Sequence, residues 1–89
     1  MRKYDKRLLQ NFLAEHIRQF RAEHNYTQEQ MAERLRISPR SYIDLEHKRY
    51  GCSGPTAFFF LLLLDNEARV QLFNDFRKLI DEADQHEAA

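Results

Sequence analysis

The apolar residues of the first part of the chain recur every three or four positions, which is the spacing of one face of an α-helix. The residues of this stripe are Leu9, Leu13, Ile17 and Phe20, with Leu8 and Phe12 beside them. Asn25 follows the last periodic residue, and Asn is the residue after Gly that most often takes the left-handed conformation that closes a helix. The pattern therefore predicts a long first helix over residues 5–24 and a turn at Asn25.

Two short helices are predicted to follow, and each begins with a capping signal. Thr27 and Gln30 have the spacing of a capping box, in which each side chain binds the backbone N–H of the other residue. Ser38 and Pro39 pair an N-cap hydroxyl with a proline at the first helical position, where no N–H is needed. The second helix then ends before the turn at residues 36–38, and the third occupies residues 38–47. Two short helices joined by a three-residue turn form a helix-turn-helix arrangement.

The second half of the chain is predicted to contain one loop and two further helices. Both glycines and a proline fall within residues 48–55, which marks a loop. A fourth helix is predicted over residues 56–64 and a fifth over residues 67–83, followed by a frayed tail. The fourth is apolar around its whole circumference and the fifth has a very broad apolar stripe, so we expect a dimer or partner interface here. The residues assigned to this interface are Phe58, Leu62, Leu72, Phe73, Phe76, Leu79 and Ile80.

The composition favours helices with short connections, because the chain has only two Gly and two Pro and 31% charged residues. We expect an all-α fold of one domain over residues 1–89, in which a four-helix bundle carries a fifth, C-terminal helix. The longest apolar run, residues 57–64, is far shorter than the roughly 20 residues that span a bilayer, so no membrane contact is expected. A lone Cys52 and the lack of a secretion signal pattern favour the cytoplasm.

The charge balance is zero overall, with 14 basic and 14 acidic residues, but it is unevenly distributed along the chain. Residues 1–50 hold 11 basic and 7 acidic residues, a balance of +4, and residues 51–89 hold 3 and 7, a balance of −4. An electropositive first part followed by an acidic tail is compatible with nucleic-acid binding on one side of the molecule. Because few phosphates would be neutralised per subunit, we expect modest affinity and a shallow salt dependence.

From residue 17 to residue 64 the sequence resembles the lambda-repressor/Cro-like family, also called XRE-type. The resemblance rests on IRQFR at the end of the first helix, TQEQMAERL, ISPRSYIDLE, and a proline before the apolar fourth helix. It implies a four-helix DNA-reading head in which Arg21 and Glu46 form a structural ion pair. Two features depart from the family pattern: Arg36 replaces the usual turn glycine, and the loop after residue 46 is longer.

The resemblance also implies which residues face DNA. Gln28 is expected to reach a phosphate from the start of the second helix, and Arg40 to read a guanine through its guanidinium. Asp44 either accepts from a cytosine or neutralises Arg40. The full set of implied DNA-binding residues is Gln28, Ser38, Pro39, Arg40, Ser41, Ile43, Asp44, Lys48, Arg49 and Tyr50, and the basic residues Arg2, Lys3, Lys6 and Arg7 are further candidates for phosphate contacts.

The sequence contains no arrangement typical of an enzyme or a metal site. No Gly-rich phosphate loop or Ser/His/Asp set is present, and His16, His24, His47, His86 and Cys52 lack metal-ligand spacing. We expect no cofactor. The leading hypothesis is a sequence-specific DNA-binding regulator, a repressor that reads a palindromic operator as a homodimer. The alternative is an antitoxin-like or adaptor module whose helices over residues 56–64 and 67–83 bind another protein, with DNA binding secondary.

Overall fold

A computed structural model describes the backbone of residues 3–88 and the side chains of residues 5–86. The described part of the chain contains five helices, in this order: α1 (Lys3–Glu23), α2 (Gln28–Leu35), α3 (Pro39–Glu46), α4 (Gly54–Leu63) and α5 (Asn66–Ala88). The all-α fold expected from the sequence is confirmed.

The first three helices end in the same way, with a Schellman motif centred on a left-handed residue that is not glycine. The left-handed residues are Asn25, Arg36 and Lys48, with φ of 55°, 61° and 61°. After α1, the N–H of residue 25 donates to the carbonyl of residue 22, and the N–H of residue 26 donates to that of residue 21. The same pair of bonds follows α2, from residue 36 to 33 and from 37 to 32. It also follows α3, from residue 48 to 45 and from 49 to 44. The turn predicted at Asn25 is confirmed, and Arg36 adopts the conformation that usually belongs to glycine.

The predicted N-terminal caps are present. The Thr27 hydroxyl accepts from the N–H of Gln30 at 3.0 Å, and the Thr27 N–H donates to the Gln30 side chain at 2.9 Å, which completes the capping box. The Ser38 hydroxyl accepts from the N–H of Ser41 at 3.1 Å. These bonds satisfy backbone donors that the first turn of a helix leaves free.

Two predicted helix boundaries are wrong. α4 begins at Gly54 rather than Thr56, because the Ser53 hydroxyl caps it by accepting from the N–H of Thr56 at 3.3 Å. Pro55 then falls in the first turn, where its missing N–H has no cost. α5 continues to Ala88 instead of fraying after Ala83. Several residues of this last segment are good helix formers, so it continues a helix that has already been nucleated.

The core lies where α1, α2, α3 and α4 meet. Its fully buried large side chains are Tyr42, Phe60, Ile17, Met31 and Leu35. Ala32 is 1% exposed and belongs to the same cluster, so its small side chain lies in the tightly packed centre of the bundle. Leu72 of α5 completes this cluster at 7% exposure. The prediction of Leu72 as an interface residue is therefore wrong, since its side chain is already covered within the monomer.

α5 runs antiparallel to α1 and covers one side of the bundle. The ring of Phe76 lies 5.2 Å from the ring of Phe12, and Leu72, one turn earlier in α5, lines the same cleft as His16, one turn later in α1. Arg69 fixes the junction with α4 by donating to the carbonyls of Leu61 and Leu64 at 2.8 and 2.7 Å. Among the described residues, no helix combines the length and the apolar character needed to cross a membrane.

Candidate nucleic-acid interface

The outer side of α3 presents an exposed polar surface at its N-terminal end. The exposed residues there are Ser38, Pro39, Arg40 and Ser41, while Ile43 is half-buried. The Ser38 hydroxyl donates to the Ser41 hydroxyl at 3.0 Å, which leaves the proton of the Ser41 hydroxyl available to an outside acceptor. Because the turn at Arg36 fixes α3 against α2, this end of the helix is held in one orientation.

Arg40 is the one charged residue among the exposed side chains at this end of α3. Its side chain is 76% exposed, and its Nε lies 3.6 Å from Oδ2 of Asp44, one helical turn later. This distance is compatible with an ion pair and is too long for a strong hydrogen bond. The far side of the guanidinium, with both terminal amino groups, therefore faces solvent and is available for contacts outside the chain.

Asp44 is buried, so its assignment to the residues that face DNA, which the resemblance implies, is wrong. The residue is 9% exposed, and its Oδ1 accepts from Nη1 of Arg49 at 3.2 Å. Arg49 reaches it because the left-handed turn at Lys48 folds the chain back over the end of α3. The carboxylate is thus an internal counter-ion for two arginines, in line with the expectation that it neutralises Arg40.

The loop after α3 adds further exposed groups beside the same surface. Lys48 and Arg49 are exposed, and the Lys48 ammonium lies 3.8 Å from the Glu15 carboxylate of α1. Tyr50 is 72% exposed, more than any other large hydrophobic side chain that the structure describes. The three predicted loop residues therefore lie on the surface, and two of them already have an acidic neighbour.

Glu46 gathers donors from three helices behind this surface. Arg21 of α1 donates to it twice, from Nε at 2.8 Å and from Nη2 at 3.0 Å. The Tyr42 hydroxyl donates at 2.6 Å and the Gln28 amide at 3.1 Å. The sequence indicated the partnership of Arg21 and Glu46 but not the other two donors. Gln28 keeps a second amide N–H, and only that proton remains for the predicted phosphate contact.

The ionisation of this cluster follows from its contacts. Burial alone raises the pKa of Glu46, but the hydrogen bonds from Arg21, Tyr42 and Gln28 outweigh it and hold the pKa below its ordinary value. The bond to Glu46 raises the pKa of Arg21. Burial, together with the neighbouring carboxylate, raises the pKa of Tyr42 far above its ordinary value. All three groups therefore keep one charge state at neutral pH.

The remaining predicted basic contacts lie at the start of α1. Lys6 and Arg7 are exposed. Arg2 and the side chain of Lys3 lie outside the described residues.

The predicted interface residues separate into three groups. Phe58, Leu62 and Phe73 are exposed, Phe76, Leu79 and Ile80 are half-buried, and Leu72 is in the core. Val70, which is not among the predicted interface residues, is 59% exposed and lies one helical turn before Phe73. We refer to the exposed apolar residues of α4 and α5, which are Phe58, Leu62, Val70 and Phe73, as the apolar ridge. Two of them, Phe58 and Phe73, line a cleft of about 250 Å³ between α1, α4 and α5.

The histidines have local roles. Nδ1 of His16 lies 2.9 Å from the carbonyl of Phe12, and Nδ1 of His24 lies 2.9 Å from the carbonyl of Phe20. Within the described residues, no three His, Cys, Asp or Glu side chains are grouped so that they could hold a metal ion. Burial raises the pKa of Cys52 to about 11, so its thiol is protonated at neutral pH.

Comparison with known proteins agrees with the geometry of α2, the turn and α3. A family model described as a helix-turn-helix domain matches residues 14–76, which is more than half of the chain. No curated protein and no solved structure gives a significant match. The matched range contains the core helices, the Arg21–Glu46 pair and the exposed end of α3. The chain belongs to the helix-turn-helix domain family, in its XRE/lambda-repressor-like type.

Proposed function

We propose that this chain is a single-domain, sequence-specific DNA-binding regulator of the cytoplasm that acts as a repressor. The N-terminal half of α3 enters the major groove, where helix-turn-helix domains place their recognition helix. The observation that supports this most strongly is the exposed guanidinium of Arg40 next to the free hydroxyl proton of Ser41. Arginine pairs with O6 and N7 of guanine, and a serine hydroxyl can donate a hydrogen bond to a base edge or accept one from it.

The surrounding residues supply contacts that do not depend on base sequence. Lys48 and Arg49 follow the recognition helix and face solvent, so they are placed to approach a phosphate. The second amide N–H of Gln28 and the backbone N–H groups in the first turn of α2 are further donors for a phosphate. Asp44 and Glu15 lie beside these groups, so the number of phosphates neutralised per subunit is small and the salt dependence is shallow.

The experiment is selection of binding sites from a random DNA pool, followed by gel shifts of three variants. Arg40→Ala is expected to relax preference at one base position, at a cost of about 1–3 kcal/mol for that base. Lys48→Ala is expected to weaken binding to all sequences equally and to lower the slope of log affinity against log salt concentration by about one. Lys78→Ala removes the same charge from the exposed surface of α5 and serves as the matched control. Failure of the natural chain to bind DNA in a salt-sensitive way refutes the proposal.

We further propose that the chain forms a homodimer through the apolar ridge and reads a palindromic site. The four ridge residues are 59–71% exposed and contribute on the order of 400 Å² of apolar surface. With a polar rim of similar area, this reaches the roughly 800 Å² per partner of a standard interface. A two-fold dimer places its two recognition helices about 34–36 Å apart, one turn of B-DNA.

Analytical ultracentrifugation tests the dimer. Phe73→Glu places a charge in the ridge and is expected to shift the chain to monomer, whereas Asn74→Glu adds the same charge next to the ridge and leaves the dimer intact. The ridge also favours a second candidate function, an antitoxin-like or adaptor module that binds a different polypeptide. A chain that stays monomeric and shows no salt-sensitive DNA binding supports that module over the regulator.

A further inference from the structure

The carboxylate of Asp44 lies beneath the exposed polar end of α3 and contacts two cations. Its Oδ2 is 3.6 Å from Nε of Arg40, and its Oδ1 accepts from Nη1 of Arg49 at 3.2 Å. The side chain of Asp44 is 13% exposed, whereas those of Arg40 and Arg49 are 76% and 54% exposed. The acid is therefore fixed within the fold, and the two arginines extend from it toward solvent.

The backbone fixes the position of the acid relative to both arginines. Asp44 and Arg40 are one turn apart on α3, which places them on the same face of the helix. Arg49 is brought back by the Schellman motif, in which its own N–H donates to the carbonyl of Asp44 at 2.9 Å. The carboxylate of Asp44 thus contacts the side chain of Arg49, and the carbonyl of Asp44 accepts from the backbone N–H of Arg49.

We propose that Asp44 is a positioning residue for DNA recognition, which orients Arg40 toward the bases and Arg49 toward the phosphates without touching DNA itself. This inference rests on the proposed DNA-binding function. An unpaired arginine side chain samples many rotamers, and a bidentate contact with guanine requires one of them. A buried carboxylate 3.6 Å from Nε attracts that edge of the guanidinium and favours rotamers in which the two terminal amino groups of Arg40 point away from the protein, so less conformational freedom is lost on binding.

The same carboxylate lowers affinity for DNA of any sequence, because it adds negative charge close to the phosphates. Asp44 therefore raises the ratio of specific to non-specific affinity through the arginine geometry that one sequence rewards. Its charge weakens binding to every sequence alike, which lowers both affinities and leaves their ratio unchanged.

The test uses the full chain with Asp44→Asn, and measures binding to the selected operator and to a shuffled duplex across a salt series. Asparagine keeps the shape and one acceptor but has no charge to hold Arg40. We expect the ratio of operator affinity to shuffled-DNA affinity to fall about tenfold, with tighter binding to the shuffled duplex and an unchanged melting temperature. Asp44→Glu restores the charge beside a cavity of about 350 Å³ and is expected to recover most of the ratio.

A second arm shows whether Asp44 acts through Arg40. In an Arg40→Ala background, Asp44→Asn is expected to change the ratio less than twofold. An unchanged ratio in the Asp44→Asn variant alone overturns the proposal, as does a loss of ratio that occurs only when the variant is partly unfolded. If the variant instead changes preference at a cytosine position while the guanine preference is kept, Asp44 reads a base directly and the positioning role is wrong. If the natural chain binds no DNA, the proposed function itself fails.

Discussion

Replacing Glu46 with alanine is expected to be strongly destabilising, because one carboxylate receives four hydrogen bonds. The donors are two nitrogens of Arg21, the Tyr42 hydroxyl and the Gln28 amide, at 2.6 to 3.1 Å. The side chain of Glu46 is 8% exposed and that of Arg21 is 24% exposed. Both ends of the pair are thus largely removed from water.

The magnitude follows from what the substitution leaves behind. Glu46→Ala strands the Arg21 charge and leaves the Tyr42 hydroxyl without its acceptor. Breaking a buried pair from one side costs about 3–5 kcal/mol. Because Arg21 remains about a quarter exposed and water reaches it, we expect a value near the lower end, about 3 kcal/mol. A domain of this size has a total stability of roughly 4–13 kcal/mol, so the variant is expected to keep roughly 1–10 kcal/mol and to unfold at a clearly lower urea concentration.

Urea denaturation followed by circular dichroism at pH 7 measures this loss. Glu33→Ala is the matched control, since Glu33 is an exposed glutamate on α2, and its substitution is expected to change the free energy of unfolding by less than about 0.5 kcal/mol. Removing Arg21 in the same chain is expected to cost less than the sum of the two single changes, because the stranded charge is then absent.

The pH dependence checks the electrostatic part of the reasoning. The pKa of Glu46 is lower in the folded chain than in the unfolded chain, so its contribution is fully present above the unfolded pKa, which is about 4.3. The contribution is lost as the pH falls through the folded value. The stability difference between the natural chain and Glu46→Ala is therefore expected to shrink below pH 4. A cost under about 1 kcal/mol at pH 7, or normal melting with weak DNA binding, refutes a mainly structural role for Glu46.

Three further predictions concern helix ends. Lys48→Gly removes the steric cost of a left-handed conformation at a residue with a Cβ, so it is expected to raise the free energy of unfolding by about 0.5–1 kcal/mol in urea denaturation. The exposed contact with Glu15 at 3.8 Å, which the change also removes, contributes little. A decrease in stability would show that the lysine side chain matters more than its backbone. Thr27→Ala removes half of a capping box and is expected to cost about 1 kcal/mol by the same measurement, and a neutral result would mean that water replaces the cap. Arg69→Ala frees two carbonyls at the end of α4 and is expected to cost about 1–3 kcal/mol and to speed hydrogen exchange of the amides between α4 and α5. Unchanged exchange there would contradict that role.

The parts of the fold that sequence predicted well depend on short-range chemistry. Asn25, the Thr27 capping box and the Ser38–Pro39 start of α3 each act on backbone groups within a few residues, so their side chains alone indicate what the chain does. Arg36 also follows from local reasoning, because the turn needs a left-handed residue whatever side chain occupies it. These features determine the lengths and order of the helices, and hence the architecture of the reading head.

The errors lie where a residue's environment depends on distant parts of the chain. Leu72 and Phe73 are neighbours in a broad apolar stripe, and only the position of α1 decides that the first is buried and the second exposed. Ser53 is a cap that the sequence does not reveal, because the glycines around it indicate a loop. Val70 belongs to the broad apolar stripe of the fifth helix, and the stripe alone does not show that its side chain is 59% exposed.

Asp44 shows most clearly how a tertiary contact changes the chemistry of a recognition helix. Helical spacing places Asp44 and Arg40 on one face, and from that alone the acid is a candidate to contact DNA. The structure shows that Asp44 is buried and that Nη1 of Arg49 lies 3.2 Å from its Oδ1, which is possible because Lys48 adopts a left-handed conformation unusual for lysine. One backbone angle in the loop thus brings a second arginine to a carboxylate that helical spacing alone pairs with Arg40. The proposed positioning role of Asp44 depends on this tertiary contact, which the spacing of residues on α3 does not reveal.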